Sequence, residues 1–519
     1  MGSTTLFFYG IMIQKKKKDW FKTKKYPHID TPISVSDRNK IEAYIRNEEK
    51  ISQHSFLPFI HKTSLVRKFR KKYCPCCGNC ISLNEKGNPI RVADKKKREL
   101  FYASHLDSLI YSYYSQKLSL KYEYFIKNNN LNDVVLAYRS IPISSASNSP
   151  CKCNIDFAND VFEIIYNFPH SEFDVIAFDI TSYFDNLNHK ILLEKWGKIL
   201  DVERLPSDHF NIFKNITRFS YIDIVDLFEE FKDNILTQKT NAKGEKLEVK
   251  KRKVAKLKFM RNQNAIAFCN KADFLKIKHK LIKPNKTIKQ KDGSTIKRDF
   301  GIPQGSPISS TLANIYLIDF DKIINEYVTK QNGFYKRYSD DIVIILPKGN
   351  RNNIIQLIQN QISEYKLEIQ DSKTQIFEFV REDNFLKCGQ VFKNLTNWNK
   401  NFIYLGFEFN GNSVLLKNSS ISGYYRKLKR HIRRAKYFSK IHKKEIFKRR
   451  ILKKFTYRGA KRTRKRLWDE NTKSFKAYDS YNYGNFLTYV NKASSKMINN
   501  KIKNQLKRHW NKVNMLIKP

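Results

Sequence analysis

The sequence contains no long hydrophobic run, and this lack limits what the protein can be. Hydrophobic residues make up 41% of the 519 residues, but no stretch approaches the roughly 18 uninterrupted apolar residues that span a bilayer. The apolar run Leu6–Ile13 is too short, and the basic run Lys15–Lys18 follows it, which is the reverse of a secretion signal. Leu6 also breaks the myristoylation pattern. We therefore expect a cytoplasmic protein without a membrane partner.

Acidic residues are scarce relative to basic ones. Asp and Glu number 49 against 99 Lys and Arg, so the formal net charge is +50. Such an excess repels itself in the folded state unless a polyanion screens it. Nucleic acid is the expected partner, because counterion release favours its binding to a basic surface. The 37 Phe and 28 Tyr are expected mainly in the core, with some available to stack on bases.

Cysteine is also rare, with eight residues in the chain, and four of them lie in the segment Cys74–Cys80. The two CxxC spacings in this segment share Cys77, so one tight turn cannot easily present four thiolates to a metal ion. A structural Zn²⁺ site would need a second pair, for which Cys151 and Cys153 are the candidates. The alternative is a set of reduced thiols, since disulfides are rare in the cytosol.

Two adjacent carboxylates, Asp340 and Asp341, follow Tyr338 and Ser339 at a turn between two β-rich runs. Side chains alternate along a strand, so a turn is needed to aim both acids at one place. The pair repels itself unless a cation neutralises it. Mg²⁺ prefers oxygen ligands of this kind, and two such ions can drive in-line phosphoryl transfer. The alternative is a solvated hairpin turn, because Asp is common in turns.

A third carboxylate stands in a matching context. The run Asp174–Phe178 predicts a buried strand that ends on Asp179, and a helical pattern begins at Lys190. An acid at the end of a buried strand is well placed to meet a hairpin of the same sheet. The alternative is an Asp that caps a helix.

The loop Gly301–Ser310 contains two glycines and two prolines and leads into an apolar helical pattern. Ser306 is the expected N-cap of that helix, and Pro307 is its expected first residue. Such a loop can bring its backbone close to a nucleotide or to a template phosphate.

In this order, the three segments resemble motifs A, B and C of reverse transcriptases. The matching residues are Phe178–Asp185, Pro303–Ser306 and Tyr338–Asp341. Asp371–Thr374 resembles motif D, and Tyr404–Phe407 resembles the motif E primer grip. The resemblance, which extends to bacterial group II intron and retron enzymes, implies an α+β right-hand polymerase of fingers, palm and thumb. It also implies an RRM-like antiparallel palm sheet and an α-helical thumb and C-terminal region.

The resemblance further implies roles for individual residues in RNA-directed DNA synthesis. The ligands of two Mg²⁺ ions would be Asp179, Asp340, Asp341 and the carbonyl of Ile180. These ions would activate the primer 3′-hydroxyl and bind the triphosphate of the dNTP. Lys373, in motif D, would donate a proton to the leaving pyrophosphate.

Contacts to the incoming nucleotide are also implied, at Phe184, Gln304, Gly305, Arg139 and Lys152. Phe184 stands where the family places its steric gate against ribonucleotides, and Tyr183 is the competing aromatic. Gln304 would steady the template–nucleotide pair. Arg139 and Lys152 would meet the triphosphate, with ordinary surface charge as the alternative for each.

Further segments narrow the resemblance to the unknown-group, or defence-associated, reverse transcriptases of bacterial anti-phage systems. They are Val135–Arg139, Asn154–Ala158 and Asn485–Val490. Some members of that group have a dedicated noncoding RNA, and some form homo-oligomers. We therefore expect a polymerase that copies a cognate noncoding RNA into cDNA for anti-phage defence. The alternatives are a group II intron or retron-type enzyme and a maturase-like RNA-binding protein.

The predicted domains follow the motifs. They are a basic N-terminal region with the cysteine cluster (1–100), fingers (101–170), palm with motif A (171–204), a fingers insertion (205–300), palm with motifs B to E (301–410), and the helical thumb and C-terminal region (411–519). The basic run Lys239–Lys253 predicts a hairpin or loop that contacts template or structured RNA, or else a solvated linker. Residues 424–466 hold 21 Lys or Arg and one acid, which predicts a helix that meets phosphates. Apolar residues recur within it at spacings of three and four, which predicts one packed helix face formed by Tyr425, Leu428, Ile432 and Ala435.

Two other functional classes are less favoured. An RNA-dependent RNA polymerase shares the palm, but the aromatic Phe184 and the context of Tyr338–Asp341 argue against it. A catalytically idle RNA-binding scaffold would also be basic, but it would not need all three acids. The sequence shows no cysteine-rich HNH finger and no separate acidic RNase H set.

Overall fold

The computed structural model describes the chain in segments. They are residues 19–70, 83–85, 87–88, 90, 92–144, 150–241, 246–289, 294–370, 373–383, 385–392, 395–459, 463–469, 474–480 and 484–518. The cluster Cys74–Cys80, and with it the predicted zinc site, lies outside these residues. In the described ranges, no helix is both long enough and apolar enough to cross a membrane.

Helices and strands are both found throughout the described residues. The helices are α1 (Arg38–Arg46), α2 (Glu48–Ser52), α3 (His105–Asn128), α4 (Asn154–Tyr166), α5 (His189–Leu200), α6 (Ser207–Thr217), α7 (Ile224–Phe231), α8 (Lys271–Leu281), α9 (Ser309–Tyr316), α10 (Ile318–Lys330), α11 (Arg351–Glu364), α12 (Asn418–Ile441), α13 (Lys448–Phe455), α14 (Phe486–Lys496), α15 (Ile502–Gln505) and α16 (His509–Ile517). The strands are β1 (His28–Ile29), β2 (Phe59–Arg70), β3 (Val92–Tyr102), β4 (Glu172–Asp179), β5 (Ser220–Asp223), β6 (Ile235–Thr240), β7 (Lys246–Arg252), β8 (Ala265–Cys269), β9 (Lys283–Pro284), β10 (Thr287–Lys289), β11 (Thr295–Lys297), β12 (Phe334–Tyr338), β13 (Asp341–Pro347), β14 (Gln375–Glu382), β15 (Phe385–Phe392), β16 (Leu395–Asn397), β17 (Phe402–Tyr404), β18 (Phe407–Phe409), β19 (Val414–Leu416), β20 (Thr463–Asp469) and β21 (Ser474–Ser480).

The chain divides into two compact units, each assembled from segments that are distant in sequence. The first unit comprises Met1–Tyr138, Ile180–Ile324 and Leu357–Ile369. The second unit comprises Arg139–Asp179, Asn325–Gln356 and Gln370–Pro519.

A six-stranded antiparallel sheet forms the centre of the second unit, in the order β12-β13-β4-β14-β15-β16. β4 lies between β13 and β14 and buries Phe173, Val175 and Ile176. Aromatic and β-branched residues of this kind suit a strand that is covered on both faces. The buried strand predicted before Asp179 and the hairpin predicted around Asp340 are both present.

The core of the second unit lies between this sheet, helices α4 and α14, and the small sheet β17-β18-β19. Phe162 of α4 stacks against Phe409 of β18, with ring centroids 5.1 Å apart. The N-terminus of α4 is closed by Asp156, whose carboxylate accepts from the backbone N–H of Cys153 at 2.8 Å. This fixed helix supports the sheet that carries the acids.

The C-terminal region of the second unit contains the predicted basic helix, α12. Its apolar face packs Leu428 and Ile432 against Ile451 and Phe455 of α13 and against Val513 of α16, so the predicted helical face is confirmed. The region also contains the antiparallel pair β20–β21, whereas the sequence predicted helices alone.

The first unit contains two four-stranded sheets, β3-β2-β5-β9 and β1-β8-β6-β7. The strands β6 and β7 pair as an antiparallel hairpin, so the hairpin alternative for the basic run is the one observed. The long pairing of β2 with β3 was not predicted, because residues 1–100 show no clear hydrophobic alternation. The α+β class is confirmed across both units.

Candidate active site

The three predicted catalytic acids lie in the second unit, at one end of its sheet. Asp179 is the last residue of β4, and Asp341, the first residue of β13, is its direct partner in the antiparallel register. Directly opposed residues point to the same face of a sheet with neighbouring Cβ atoms. Asp340 sits in the two-residue turn before β13, so all three acids belong to one end of the sheet.

The turn that carries Asp340 has a constrained backbone. Tyr338 pairs with Asp341 across it, and Ser339 adopts a φ of 61°, a left-handed conformation that is uncommon for a residue with a side chain. The fully buried Arg337 donates from Nη1 to the carbonyl of Ser339 at 3.2 Å. A buried charged donor thus holds the turn in place.

The acids are held at a cost in electrostatic free energy. Burial, and then the charges of Asp340 and Asp179, raise the pKa of Asp341 to about 7. Burial also raises the pKa of Asp340 above its ordinary value, and the charge of Asp179 adds to this. Carboxylates that resist ionisation together are stabilised by a cation placed among them.

Two lysines supply positive charge at this place. The Nζ atom of Lys373 forms an ion pair with Asp179 at 2.5 Å, and Lys417 opposes the rise in the pKa of Asp341. Among the described residues, no three His, Cys, Asp or Glu side chains are gathered so that they could hold a metal ion. The donor set suits Mg²⁺, and Lys373 would compete with such an ion for the Asp179 carboxylate.

A cavity of about 260 Å³ opens beside the acids and is lined by residues of the second unit alone. Its walls include Asp179, Asp341, Lys373, Tyr404, Leu405, Gly406 and Lys417. Leu405 and Gly406 have φ angles of 44° and 93°, so the motif E segment makes a tight turn at the cavity. Lys417 was not predicted, although its place shortly after motif E was a usable signal.

The predicted gate residue lies in the first unit, on the segment that follows Ile180. Phe184 is half-buried, whereas Tyr183 is buried and donates its hydroxyl hydrogen bond to the carbonyl of Ala313. Tyr183 is therefore fixed in the core, and Phe184 is the aromatic that retains exposure. Ile180 is held by an isolated bridge to Ile369.

The motif B loop of the first unit is held by the end of strand β3. The carbonyl of Gln304 accepts from the N–H of Phe101 at 2.9 Å. Gly305 has a φ of 120°, and a Cβ atom placed there would lie 2.6 Å from the carbonyl oxygen of Phe101. Glycine is needed at this position for both reasons.

The predicted start of the next helix was wrong. Helix α9 begins at Ser309, and Ile308 occupies its N-cap position, so Ser306 and Pro307 precede the helix. The hydroxyl of Ser309 instead donates to the carbonyl of Pro303 at 2.7 Å. The loop closes on itself through this bond, which explains why the helix begins later than the cap pattern indicated.

The two predicted triphosphate cations lie in the second unit and are half-buried. Lys152 forms an ion pair with Asp160 at 2.7 Å, so a triphosphate would have to replace that carboxylate. Arg139 is the first residue of the unit. Of the candidate zinc ligands, Cys153 lies 3.2 Å from Nζ of Lys492, and Cys151 is exposed.

An antiparallel sheet with three carboxylates at one end, beside a cavity lined by Lys373 and Lys417, is the arrangement expected of a polymerase palm. Residues 233–409 match the family described as reverse transcriptase (RNA-dependent DNA polymerase). This part of the chain is therefore similar to the reverse transcriptase domain of RNA-directed DNA polymerases. The matched region includes Gln304, Asp340, Asp341 and Lys373, and it begins after Asp179.

Telomerases are among the solved structures to which the chain is similar, and the similarity is low. Apo telomerase from Candida tropicalis, truncated from the C-terminal domain, has a TM-score of 0.32 and 13% identity, over 73% of this chain and 59% of that chain. Telomerase from Candida albicans in complex with a TWJ fragment of telomeric RNA has a TM-score of 0.32 and 14% identity, over 73% and 49%. The chain thus covers less than two thirds of either telomerase. No curated protein matches the chain.

Proposed function

We propose that the protein is an RNA-directed DNA polymerase that uses two-metal catalysis. The observation that carries the proposal is the register of β4 with β13, which places Asp179 opposite Asp341 and next to the turn of Asp340. The raised pKa of Asp341, about 7, supports a site that is completed by added positive charge. The match of residues 233–409 to reverse transcriptases supports the substrate class.

The acids would hold two Mg²⁺ ions, with the carbonyl of Ile180 as a further ligand. When bound, the ions would neutralise the carboxylates, activate the primer 3′-hydroxyl and stabilise the charge on the leaving pyrophosphate. Lys373 would release Asp179 and donate its ammonium proton to a pyrophosphate oxygen. Lys417 lines the cavity beside Asp341 and would stay close to the negative charge of the primer backbone.

The first unit would select the substrate. Phe184 would exclude the 2′-hydroxyl of a ribonucleotide, while Gln304 and Gly305 would steady the template–nucleotide pair. Arg139 and Lys152, which belong to the second unit, would meet the triphosphate. In this proposal the residue ranges for fingers, palm, insertion and thumb keep their predicted roles, and the β6–β7 hairpin contacts template or structured RNA.

The biological template would be a cognate noncoding RNA, copied into cDNA in the cytoplasm of bacterial cells for anti-phage defence. Support comes from the segments that resemble defence-associated enzymes, two of which meet in the second unit. The side-chain amide of Asn154 donates to the hydroxyl of Tyr489 at 3.0 Å, and Lys496, which follows the second segment on the same helix, pairs with Asp156 at 2.7 Å. These contacts give the two segments a shared structural role.

Three experiments test the proposal, one on its chemistry and two on its biological role. Purified protein should extend a primer on an RNA template with dNTPs and Mg²⁺, whereas a preference for rNTPs would indicate an RNA polymerase. Sequencing of co-purified nucleic acid should return one dominant RNA. In bacterial cells challenged with phage, wild type with its native flanking DNA should protect and Asp340→Ala should not. Equal protection by both would refute the cDNA-dependent role.

A further inference from the structure

The end of helix α12 presents an aromatic tip that the polymerase site does not use. We define the aromatic tip as Tyr437, Phe438 and Ile441, whose exposed fractions are 63%, 43% and 54%. Residues three and four apart are neighbours on a helix surface, so Ile441 lies beside both aromatic rings. Earlier in the same helix, Leu428 and Ile432 are buried against α13 and α16, so the helix is covered along one stretch and open at its end.

The rings of the aromatic tip present flat faces, and a positively charged side chain lies beside them. The Tyr437 and Phe438 rings are 5.5 Å apart and nearly perpendicular. The imidazole of His442 stacks on Phe438 at 6.0 Å with an interplanar angle of 11°. The guanidinium of Arg434 lies 5.6 Å from the centroid of the Phe438 ring, within cation–π range.

The charged side chains of helix α12, which carries the aromatic tip, are all basic. Helix α12 contains no acidic residue, and the single acid in residues 424–466 is Glu445. A partner for this surface must therefore supply negative charge together with flat aromatic faces. Unpaired nucleotides supply both, because every base has a π face and every linkage carries a phosphate. A paired duplex supplies only the phosphates, since its bases are stacked on each other.

We propose that the aromatic tip binds unpaired nucleotides of an RNA by stacking, with Arg434 and its basic neighbours contacting the phosphates. The choice of RNA rests on the proposed function, because the part of the template that has not yet been copied is single-stranded, whereas the copied part leaves paired with the DNA product. Tyr437 and Phe438 would then recognise RNA segments by their lack of pairing. This role differs from that of the phosphate contacts expected along the rest of α12.

The test uses the full chain carrying Asp340→Ala, so that binding is measured without synthesis. A fluorescent single-stranded RNA and a duplex RNA of the same length are titrated by anisotropy. Adding Tyr437→Ala and Phe438→Ala together should weaken single-strand binding about tenfold or more, because each base–aromatic stack contributes substantially to binding. Duplex binding should change less than about twofold, since it depends on phosphates.

Matched variants separate base stacking from apolar contact and from charge. Tyr437→Leu with Phe438→Leu keeps the apolar area and removes the π faces, so it should bind as weakly as the alanine pair. Tyr124→Ala, at an exposed tyrosine of α3, should have no effect. Arg433→Gln, at an exposed basic neighbour of Arg434, should reduce the slope of log affinity against log salt by about 0.7, whereas the aromatic variants should leave the slope unchanged.

Several outcomes would overturn the inference. Full binding of single-stranded RNA by the leucine pair would show that apolar contact is enough, and equal losses of affinity for single strand and duplex would show that unpaired bases are not recognised. A loss of affinity only for a DNA strand of the same sequence would exclude RNA as the ligand. A wild-type dimer that becomes monomeric in the alanine pair would show that the aromatic tip contacts a second copy of the chain. Failure of the proposed function is distinguishable, because a wild type that binds RNA with this contrast yet incorporates no dNTP would refute the polymerase and leave the stacking surface standing.

Discussion

Burial and neighbouring negative charges both disfavour ionisation of Asp341, so this residue bears most of the electrostatic free-energy cost of the site. Its pKa of about 7 means that the folded chain resists ionising it, while Lys373 neutralises Asp179 instead. A residue that destabilises its own fold is typical of a functional site. These acids could be predicted from the sequence because the residue types and the spacing of the motifs follow from the chemistry expected of them.

Replacement of Asp341 by Asn should therefore stabilise the protein. Without divalent ions at neutral pH, we expect a melting temperature equal to that of wild type or higher by about 2 °C, because repulsion from Asp340 and Asp179 is removed. The measurement is a thermal melt with EDTA. Asp383→Asn, at an exposed turn, is the control that should not change the melt. A clear loss of stability in Asp341→Asn alone would mean that the carboxylate is structural.

The neighbouring aromatic residues Tyr183 and Phe184 should have different roles, one in stability and the other in sugar selection. Phe184→Ala should lower the ratio of kcat/KM for dNTP over rNTP by about tenfold or more, because the ring would no longer exclude a 2′-hydroxyl. Tyr183→Phe removes the bond to Ala313 and should cost about 1 kcal/mol of stability without changing the ratio. Single-nucleotide incorporation kinetics make the comparison. An unchanged ratio in Phe184→Ala would assign the gate to another residue.

At the scale of elements, predictions succeeded where one local signal decides the structure. The alternation and apolar content around Asp179 and Asp340 predicted β4 and the β12–β13 hairpin, and the apolar stripe of α12 predicted its packed face. The start of α9 was missed because the hydroxyl of Ser309 bonds back to Pro303, a contact that cap patterns do not report. The β2–β3 pairing was missed because its strands are rich in lysine and arginine and show no clear hydrophobic alternation in the sequence.

The motif B loop gives a prediction at this scale. Gly305→Ala should lower kcat/KM about tenfold and reduce stability, because its φ of 120° is strained for alanine and the new Cβ would meet the Phe101 carbonyl. Gly349→Ala is the matched control, since Gly349 has a φ of 108° with no atom within 4 Å. The Gly349→Ala variant should lose stability through the same backbone strain but keep the wild-type kcat/KM. Equal activity of the two variants would mean that the loop tolerates displacement from β3.

At the scale of the whole molecule, buried histidines in the first unit set its acid tolerance. Nδ1 of His28 accepts from the backbone N–H of Ile29 at 2.8 Å, so Nε2 carries the proton that it donates to the Tyr102 carbonyl. Burial, reinforced by the proximity of His105, lowers the pKa of His28 to about 3, and burial lowers that of His105 to about 4. Unfolded histidines protonate near pH 6.5, at about their ordinary pKa. The unfolded chain thus binds more protons below that pH, and stability falls as the pH drops from about 6.5 towards 4.

His105→Phe should reduce this acid sensitivity. Both ring nitrogens of His105 are buried without a hydrogen-bond partner among the described residues, and its ring stacks on Tyr26, so phenylalanine keeps the stack and removes the titrating group. We expect the gain in melting temperature to be about 2 °C larger at pH 5 than at pH 8. His279→Gln, at an exposed histidine, should show no such difference. A pH-independent effect of His105→Phe would place the acid sensitivity elsewhere.

The most direct test of the central claim is single-dNTP incorporation on an RNA template with Mg²⁺, comparing wild type, Asp340→Ala and the surface control Asp383→Ala. Loss of one ligand of a shared metal pair removes most of the transition-state stabilisation, on the order of several kcal/mol. The account predicts incorporation by wild type and Asp383→Ala and at least about a thousandfold loss in Asp340→Ala, with an unchanged thermal melt. Near-normal incorporation by Asp340→Ala, or none by well-folded wild type carrying its co-purified RNA, would contradict it.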